Sequence, residues 1–144
     1  MKKWMKIALA VILILTGLIK LISFFGSSNG KKYTVNDKNH VYYKGDGVKE
    51  DDAKKVGTYL TTIGLFTGEN VMDVQIKAEK DSKEMDVRFI VDKTKITPAA
   101  ENGFLTIGKD MATTFPDKTL HIILTDTGFD DIKEVGIAKS GQSQ

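Results

Sequence analysis

The chain has no cysteine, a single arginine and two histidines among its 144 residues. Without cysteine, a thiol nucleophile and a lipid-modified cysteine are excluded, although the compartment is left open, because cysteine-free proteins occur in oxidising and reducing surroundings alike. The single arginine, Arg88, argues against a site that grips phosphate or carboxylate groups with guanidinium forks. The two histidines, His40 and His121, lie in predicted strands, and without a matching third ligand they do not predict a zinc site.

Acidic residues are absent from the first 36 positions, since the first acid is Asp37. The only ionisable side chains before position 30 are four lysines: Lys2, Lys3, Lys6 and Lys20. The remaining sequence carries 17 basic and 19 acidic residues, a formal charge of −2. This slightly acidic remainder does not predict a nucleic-acid-binding protein.

A hydrophobic segment follows the first lysines, with Thr16 as the only polar residue between Ile7 and Ile19. At about 1.5 Å per residue, residues 4–25 would extend roughly 33 Å, which is enough to cross a bilayer. We therefore expect residues 1–25 to form a single transmembrane helix that binds the lipid bilayer, with the N-terminus cytoplasmic and the rest of the chain extracytoplasmic. The residues expected to anchor it are Trp4, Ile7, Ile19, Lys20, Phe24 and Phe25. The alternative is a secretory signal that is cleaved after Ser28 and releases a soluble exported protein.

The rest of the chain predicts an α+β domain over residues 33–135, after a flexible tether over 26–32 and before a disordered tail over 136–144. Alternating or helical spacing of apolar residues predicts the order strand, helix, strand, strand, helix, strand. The helices are expected at 50–63 and, after the cap Thr97 and the proline Pro98, up to Pro116. This order predicts a ferredoxin-like (split βαβ) domain with a four-stranded antiparallel sheet and both helices on one face.

No motif predicts a catalytic or cofactor site. Residues 103–110 follow the phosphate-loop spacing G-x-x-x-x-G-K, but Asp110 replaces the hydroxyl that should bind magnesium, and helix packing explains Gly103 and Gly108 better. Ser82 lies in a predicted turn outside any nucleophile motif. Four acids near the C-terminus leave weak cation binding as an alternative to a solvated acidic turn. These candidate metal ligands are Asp126, Asp130, Asp131 and Glu134.

The start of the predicted domain combines a V-x-Y strand at Val41 and Tyr43, a helix reading A-x-x-V-G-x-Y-L over residues 53–60, and the turn Gly64-Leu65-Phe66. This pattern resembles uncharacterised bacterial membrane-anchored or exported domains. The resemblance implies a bacterial or phage origin and a strand–helix start. It implies no activity and no catalytic residues.

Together these features predict a membrane-tethered, non-catalytic binding or accessory domain that acts on a protein partner at the extracytoplasmic face, in the assembly or regulation of an envelope complex. One alternative is a small exported enzyme or ligand-binding protein. Another is an immunity or inhibitor protein of the membrane. Neither a cofactor nor a nucleic-acid partner is expected.

Overall fold

The computed structural model describes residues 29–69 and 71–140. They form six strands and two α-helices. The strands are β1 (Lys31–Asn36), β2 (Asn39–Lys44), β3 (Met72–Lys77), β4 (Glu84–Ile90), β5 (Thr119–Thr125) and β6 (Asp131–Lys139), and the helices are α1 (Glu50–Thr62) and α2 (Pro98–Met111). Short 3₁₀ turns at Lys93–Lys95 and Ala112–Thr114 flank α2.

The strands lie in one mixed sheet in the order β1-β2-β3-β4-β5-β6, the same as their order in the chain. Three hairpin pairs, β1–β2, β3–β4 and β5–β6, are antiparallel. The pairs β2–β3 and β4–β5 are parallel, and each is connected through a helix.

Both helices begin at the predicted positions for identifiable reasons. The carboxylate of Asp52 accepts a hydrogen bond from the backbone N–H of Lys49 at 2.8 Å, which fixes the first turn of α1. The predicted cap of α2 is confirmed, because the Thr97 hydroxyl accepts a bond from the N–H of Ala100 at 3.1 Å. These contacts satisfy backbone donors that a helix N-terminus leaves unpaired.

The core lies between the two helices and one face of the sheet. Apolar side chains from β2 to β6 and from both helices form a single buried cluster. At its centre, the rings of Phe89 on β4 and Phe104 on α2 lie 5.0 Å apart. The helices also contact each other, because the Tyr59 hydroxyl donates to the carbonyl of Ile107 at 3.4 Å. Both helices therefore pack on the same face of the sheet.

This arrangement gives the two helical crossovers opposite hands. Both crossovers step the same way across the sheet and pass over the same face. The strands of the second crossover run opposite to those of the first, because β3 and β4 are antiparallel. Two crossovers that move in the same direction across the sheet and over the same face have opposite hands if their strands run in opposite directions. One of the two crossovers is therefore left-handed. Such connections are rare, since about 98% of parallel crossovers are right-handed.

The predicted four-stranded, ferredoxin-like antiparallel sheet is therefore wrong. A split βαβ arrangement inserts a strand between the two strands of each crossover, whereas here these strands are direct, parallel neighbours. The prediction also missed the two edge strands. β1 begins inside the expected tether, and β6 continues to Lys139, inside the expected disordered tail. Edge strands bury little of their surface, and β6 has a single fully buried residue, Ala138.

The predicted transmembrane helix over residues 1–25 and its six anchor residues lie outside the described residues. Within residues 29–69 and 71–140, no helix has the length and apolar character needed to cross a membrane. The expected description of the chain as a single-pass, signal-anchored membrane protein therefore has no supporting helix within those two described ranges.

Candidate functional site

One face of the sheet carries no helix in the part of the chain that the structure describes. Side chains alternate between faces along a strand, so residues between the core positions project from this second face, which we call the open face. They form three cross-strand rows: His40 with Asp73; Tyr42 with Gln75, Arg88 and Ile123; and Lys44 with Lys77, Asp86 and His121. Although this face lacks a helix, its polar residues Asp73, Gln75 and Arg88 are buried.

Arg88 organises the centre of the open face. Its Nε donates to Asp131 Oδ1 at 2.8 Å, and its Nη2 lies 3.0 Å from Asp86 Oδ2. Its Nη1 donates to Gln75 Oε1 at 3.5 Å, and Gln75 Nε2 donates to the carbonyl of Asn29 at 3.0 Å. Burial alone would lower the pKa of Arg88, but the bond to Asp131 and the charge of Asp86 outweigh it and raise this pKa. The chain of contacts fixes both Arg88 and Gln75 in place.

The turn between β5 and β6 folds over this face. Asp126 Oδ1 accepts hydrogen bonds from the backbone N–H groups of Gly128 and Asp130, at 2.9 and 3.0 Å. The turn places Phe129 against Tyr42, with the rings 5.7 Å apart, and Ile90 completes this small apolar cluster. Phe129 has a φ of 60°, a backbone conformation that is uncommon for a bulky residue and costs about 1–3 kcal/mol.

A cavity of about 430 Å³ opens beside this turn. Its lining consists of residues 128–131 together with Asn29, Lys44, Gln75, Lys77 and Arg88. Its volume lies in the range of small-molecule sites, which is about 300–1,000 Å³. The lining is mainly polar and brings lysine ammonium groups and aspartate carboxylates to a common space.

His40 and Asp73 form a second polar site on the open face. The imidazole Nδ1 lies 2.8 Å from Asp73 Oδ1, and the Asp73 side chain is 4% exposed. Burial raises the pKa of Asp73, and the contact with His40 lowers it by less, so the net shift is upward. A buried carboxylate orients an imidazole in many catalytic sites, where the second ring nitrogen, here Nε2, faces the reacting group. In the described chain, the partner of His40 is Asp73 alone.

His121 lies toward the other edge of the open face, between two glutamates. Its Nδ1 is 3.2 Å from Glu134 Oε1, and its Nε2 is 3.6 Å from Glu84 Oε1. The two histidines thus have separate carboxylate partners, and neither contacts a hydroxyl nucleophile among the described residues. The open face therefore carries two separate histidine–carboxylate contacts.

The structure separates the four acids predicted as candidate metal ligands. Asp126 holds the backbone of its own turn, Asp131 binds Arg88, and Glu134 contacts His121. Asp130 lines the cavity. Among the described residues, no group of three or more potential metal-ligating side chains comes together.

The glycine pattern at residues 103–110 lies entirely within α2, so it forms no phosphate-binding loop. A Cβ added at Gly108 would lie 2.5 Å from side-chain atoms of Ile122 on β5. The glycine therefore allows the helix to approach the sheet, which confirms the packing interpretation at this position.

Comparison with known proteins gives one match. Residues 32–137 match a family model described as a family N-terminal domain. The chain belongs to this family. The match to the N-terminal domain extends from β1 into β6, so it includes both edge strands as well as the crossovers. No curated protein and no solved structure matches the chain.

Sequence reasoning missed the main residues of the open face: Gln75, Lys77, Asp73 and Asp86. The alternation in β3 and β4 did place them opposite the core. A half-buried antiparallel hairpin usually turns such residues to water, so the pattern contained no sign that Asp73, Gln75 and Arg88 are buried. Gln75 contacts Asn29 and Arg88 contacts Asp131, and these partners are 46 and 43 positions away in the sequence.

Proposed function

We propose that this domain is a non-catalytic binding domain and that the open face is its recognition surface. The observation that carries the proposal is the burial of an ordered polar network, centred on Arg88, on the sheet face that neither α1 nor α2 covers. Buried polar groups destabilise a fold unless they are paired, and a set that is held by side-chain contacts presents fixed donors and acceptors.

The chemistry of the face supports recognition rather than turnover. Arg88, Asp86, Asp131 and Gln75 make reciprocal contacts that position one another. The imidazoles of His40 and His121 are held by carboxylates and have no hydroxyl group beside them in the described chain. A face of this composition binds a partner through hydrogen bonds and ion pairs around a small apolar cluster, as polar interfaces do.

The proposal can be tested by site-specific photo-crosslinking in cells that express the full chain. A photoreactive residue would replace Lys77 on the open face or, as a matched control, Lys54 on the exposed surface of α1. We expect a discrete adduct from position 77 and none from position 54. Adducts of equal yield from both positions, or none from position 77 while position 54 reacts, would overturn the assignment of the open face.

A further inference from the structure

We propose that the cavity beside the β5–β6 turn binds a small anion through a carboxylate or phosphate group. This inference rests on the proposed function, because it names the chemistry that part of the open face recognises. The binding site is the side of the cavity formed by Asn29, Lys44 and Lys77.

The first argument is the position of the two lysines. Lys44 on β2 and Lys77 on β3 are register partners in a parallel pair and line the same cavity. Two cationic side chains on neighbouring strands therefore line one cavity. An anion bound there would be attracted to both of them.

The second argument is that the nearby carboxylates of Asp86 and Asp131 are paired with Arg88. Asp86 is the cross-strand neighbour of Lys77, but its carboxylate lies 3.0 Å from Arg88 Nη2. Asp131 is held at 2.8 Å by Arg88 Nε. Among the described residues, Lys77 has no acidic group within 4.0 Å, so its charge is left for a ligand in the cavity.

The third argument is the amide of Asn29. This residue is 4% exposed, and its Nδ2 is a buried side-chain donor without an acceptor in the described structure. Such orphan donors are uncommon, and each one lowers stability. Asn29 lines the cavity next to the lysines, and a rotation of its amide toward a bound anion would supply the missing acceptor.

The residues of the β5–β6 turn limit which anions fit. Asp130, which is exposed, lines the cavity together with Asp131 and the buried residue Phe129. A highly charged anion that filled the whole space would be repelled by these carboxylates. The geometry therefore favours a ligand with one anionic group at the lysines and a neutral or cationic portion near the turn.

The test is a titration of the full chain with inorganic phosphate and, separately, with β-alanine, which joins one carboxylate to a cationic amine, followed by amide NMR shifts. We expect saturable shifts concentrated at residues that line the cavity. The variant Lys77→Gln should weaken binding about tenfold, as expected for the loss of one charge-assisted hydrogen bond. Lys77→Arg should restore most of it, and Lys54→Gln should leave it unchanged.

The two titrations distinguish a phosphate from a carboxylate group, since a saturable response to one ligand alone identifies the group that the lysines prefer. Shifts that do not saturate, or equal weakening by Lys77→Gln and Lys54→Gln, would overturn the anion site. If either of these titration results is found together with a specific crosslink from position 77, the anion site is contradicted while the recognition role of the open face is supported. If the anion binds, but position 54 forms a crosslink and position 77 does not, the partner-binding role of the open face is contradicted while the anion site is supported.

Discussion

The two faces of the sheet bury their residues by different means. On the helix-covered face, apolar side chains from five strands and two helices form one continuous core. On the open face, the apolar cluster has three members, Tyr42, Ile90 and Phe129, and the other buried groups include Asp73, Gln75 and Arg88. The first face depends on area removed from water, whereas the second depends on specific pairs. The fold should therefore tolerate changes to the open face that it would not tolerate in the core.

The largest effect is expected from Phe104→Ala on the core face. Phe104 is fully buried and packs on Phe89, so its removal leaves a cavity that the sheet and helix cannot close. We expect a loss of about 3–5 kcal/mol in the free energy of unfolding, measured by urea denaturation. The matched variant Phe129→Ala on the open face should lose about 2 kcal/mol, because its cluster is small. Equal losses would mean that the apolar cluster on the open face contributes as much to the free energy of unfolding as the core does.

A smaller loss is expected from Arg88→Met, which keeps most of the side-chain volume and removes the charge. Asp86 and Asp131 would lose their common partner, but their side chains are 32% and 54% exposed, so water can solvate the carboxylates. We expect a loss of about 1–2 kcal/mol in the free energy of unfolding. The control Lys54→Met on α1 should stay within about 0.5 kcal/mol of the parent chain. A loss as large as that of Phe104→Ala would contradict the difference between the faces.

Gly108→Ala tests how closely the core face is packed. The added methyl group would lie 2.5 Å from Ile122, a fully buried side chain with little room to move. Overpacking costs about 1–3 kcal/mol, and the gain in helix propensity returns about 1 kcal/mol, so a net loss of about 1 kcal/mol is expected. Gly57→Ala is the matched variant, because its new methyl group would meet Val35 on the edge strand β1, which is only half-buried. Thermal unfolding should show a smaller loss for Gly57→Ala, and the reverse order would contradict this account of the packing.

The contrast between the faces also explains how much could be predicted from the sequence. Four strands, both helices and the inward positions of β3 and β4 followed from apolar periodicity, because each of these elements packs against the core. Residues such as Met85 and Val87 are buried as their spacing indicated. Periodicity reports which side of an element is buried, and it predicts well wherever a core covers that side.

Strand order, the edge strands and the open-face network required information that periodicity does not contain. The order of the strands depends on how each crossover closes, and the usual right-handed rule favours the split arrangement over the one observed. The hydrophobic pattern of Val41 and Val74 is the same in either arrangement. The pairing of Arg88 with Asp131 joins residues 43 positions apart, and a local pattern cannot indicate it.

The smallest effect concerns the pH dependence of stability on the open face, through Asp73. Burial raises its pKa above the ordinary value of 3.8, so the folded chain holds this proton to a higher pH than the unfolded chain does. Between 3.8 and the raised native value, the folded state binds more protons, and its free energy of unfolding therefore falls as the pH rises. Asp73→Asn cannot titrate and should lose this component of the fall, while its amide oxygen can still accept a bond from His40. Urea denaturation at a series of acidic pH values should show that the free energy of unfolding of Asp73→Asn increases relative to that of the parent chain as the pH rises.

The opposite control is His40→Gln, which removes the main group that lowers the pKa of Asp73. The pKa of Asp73 should then rise further, and the fall of stability with pH should extend to a higher pH than in the parent chain. If Asp73→Asn and His40→Gln changed the pH dependence in the same direction, burial would not dominate at Asp73. The open face would then hold its buried carboxylate by charge pairing with His40, in the same way that it holds Asp131 with Arg88.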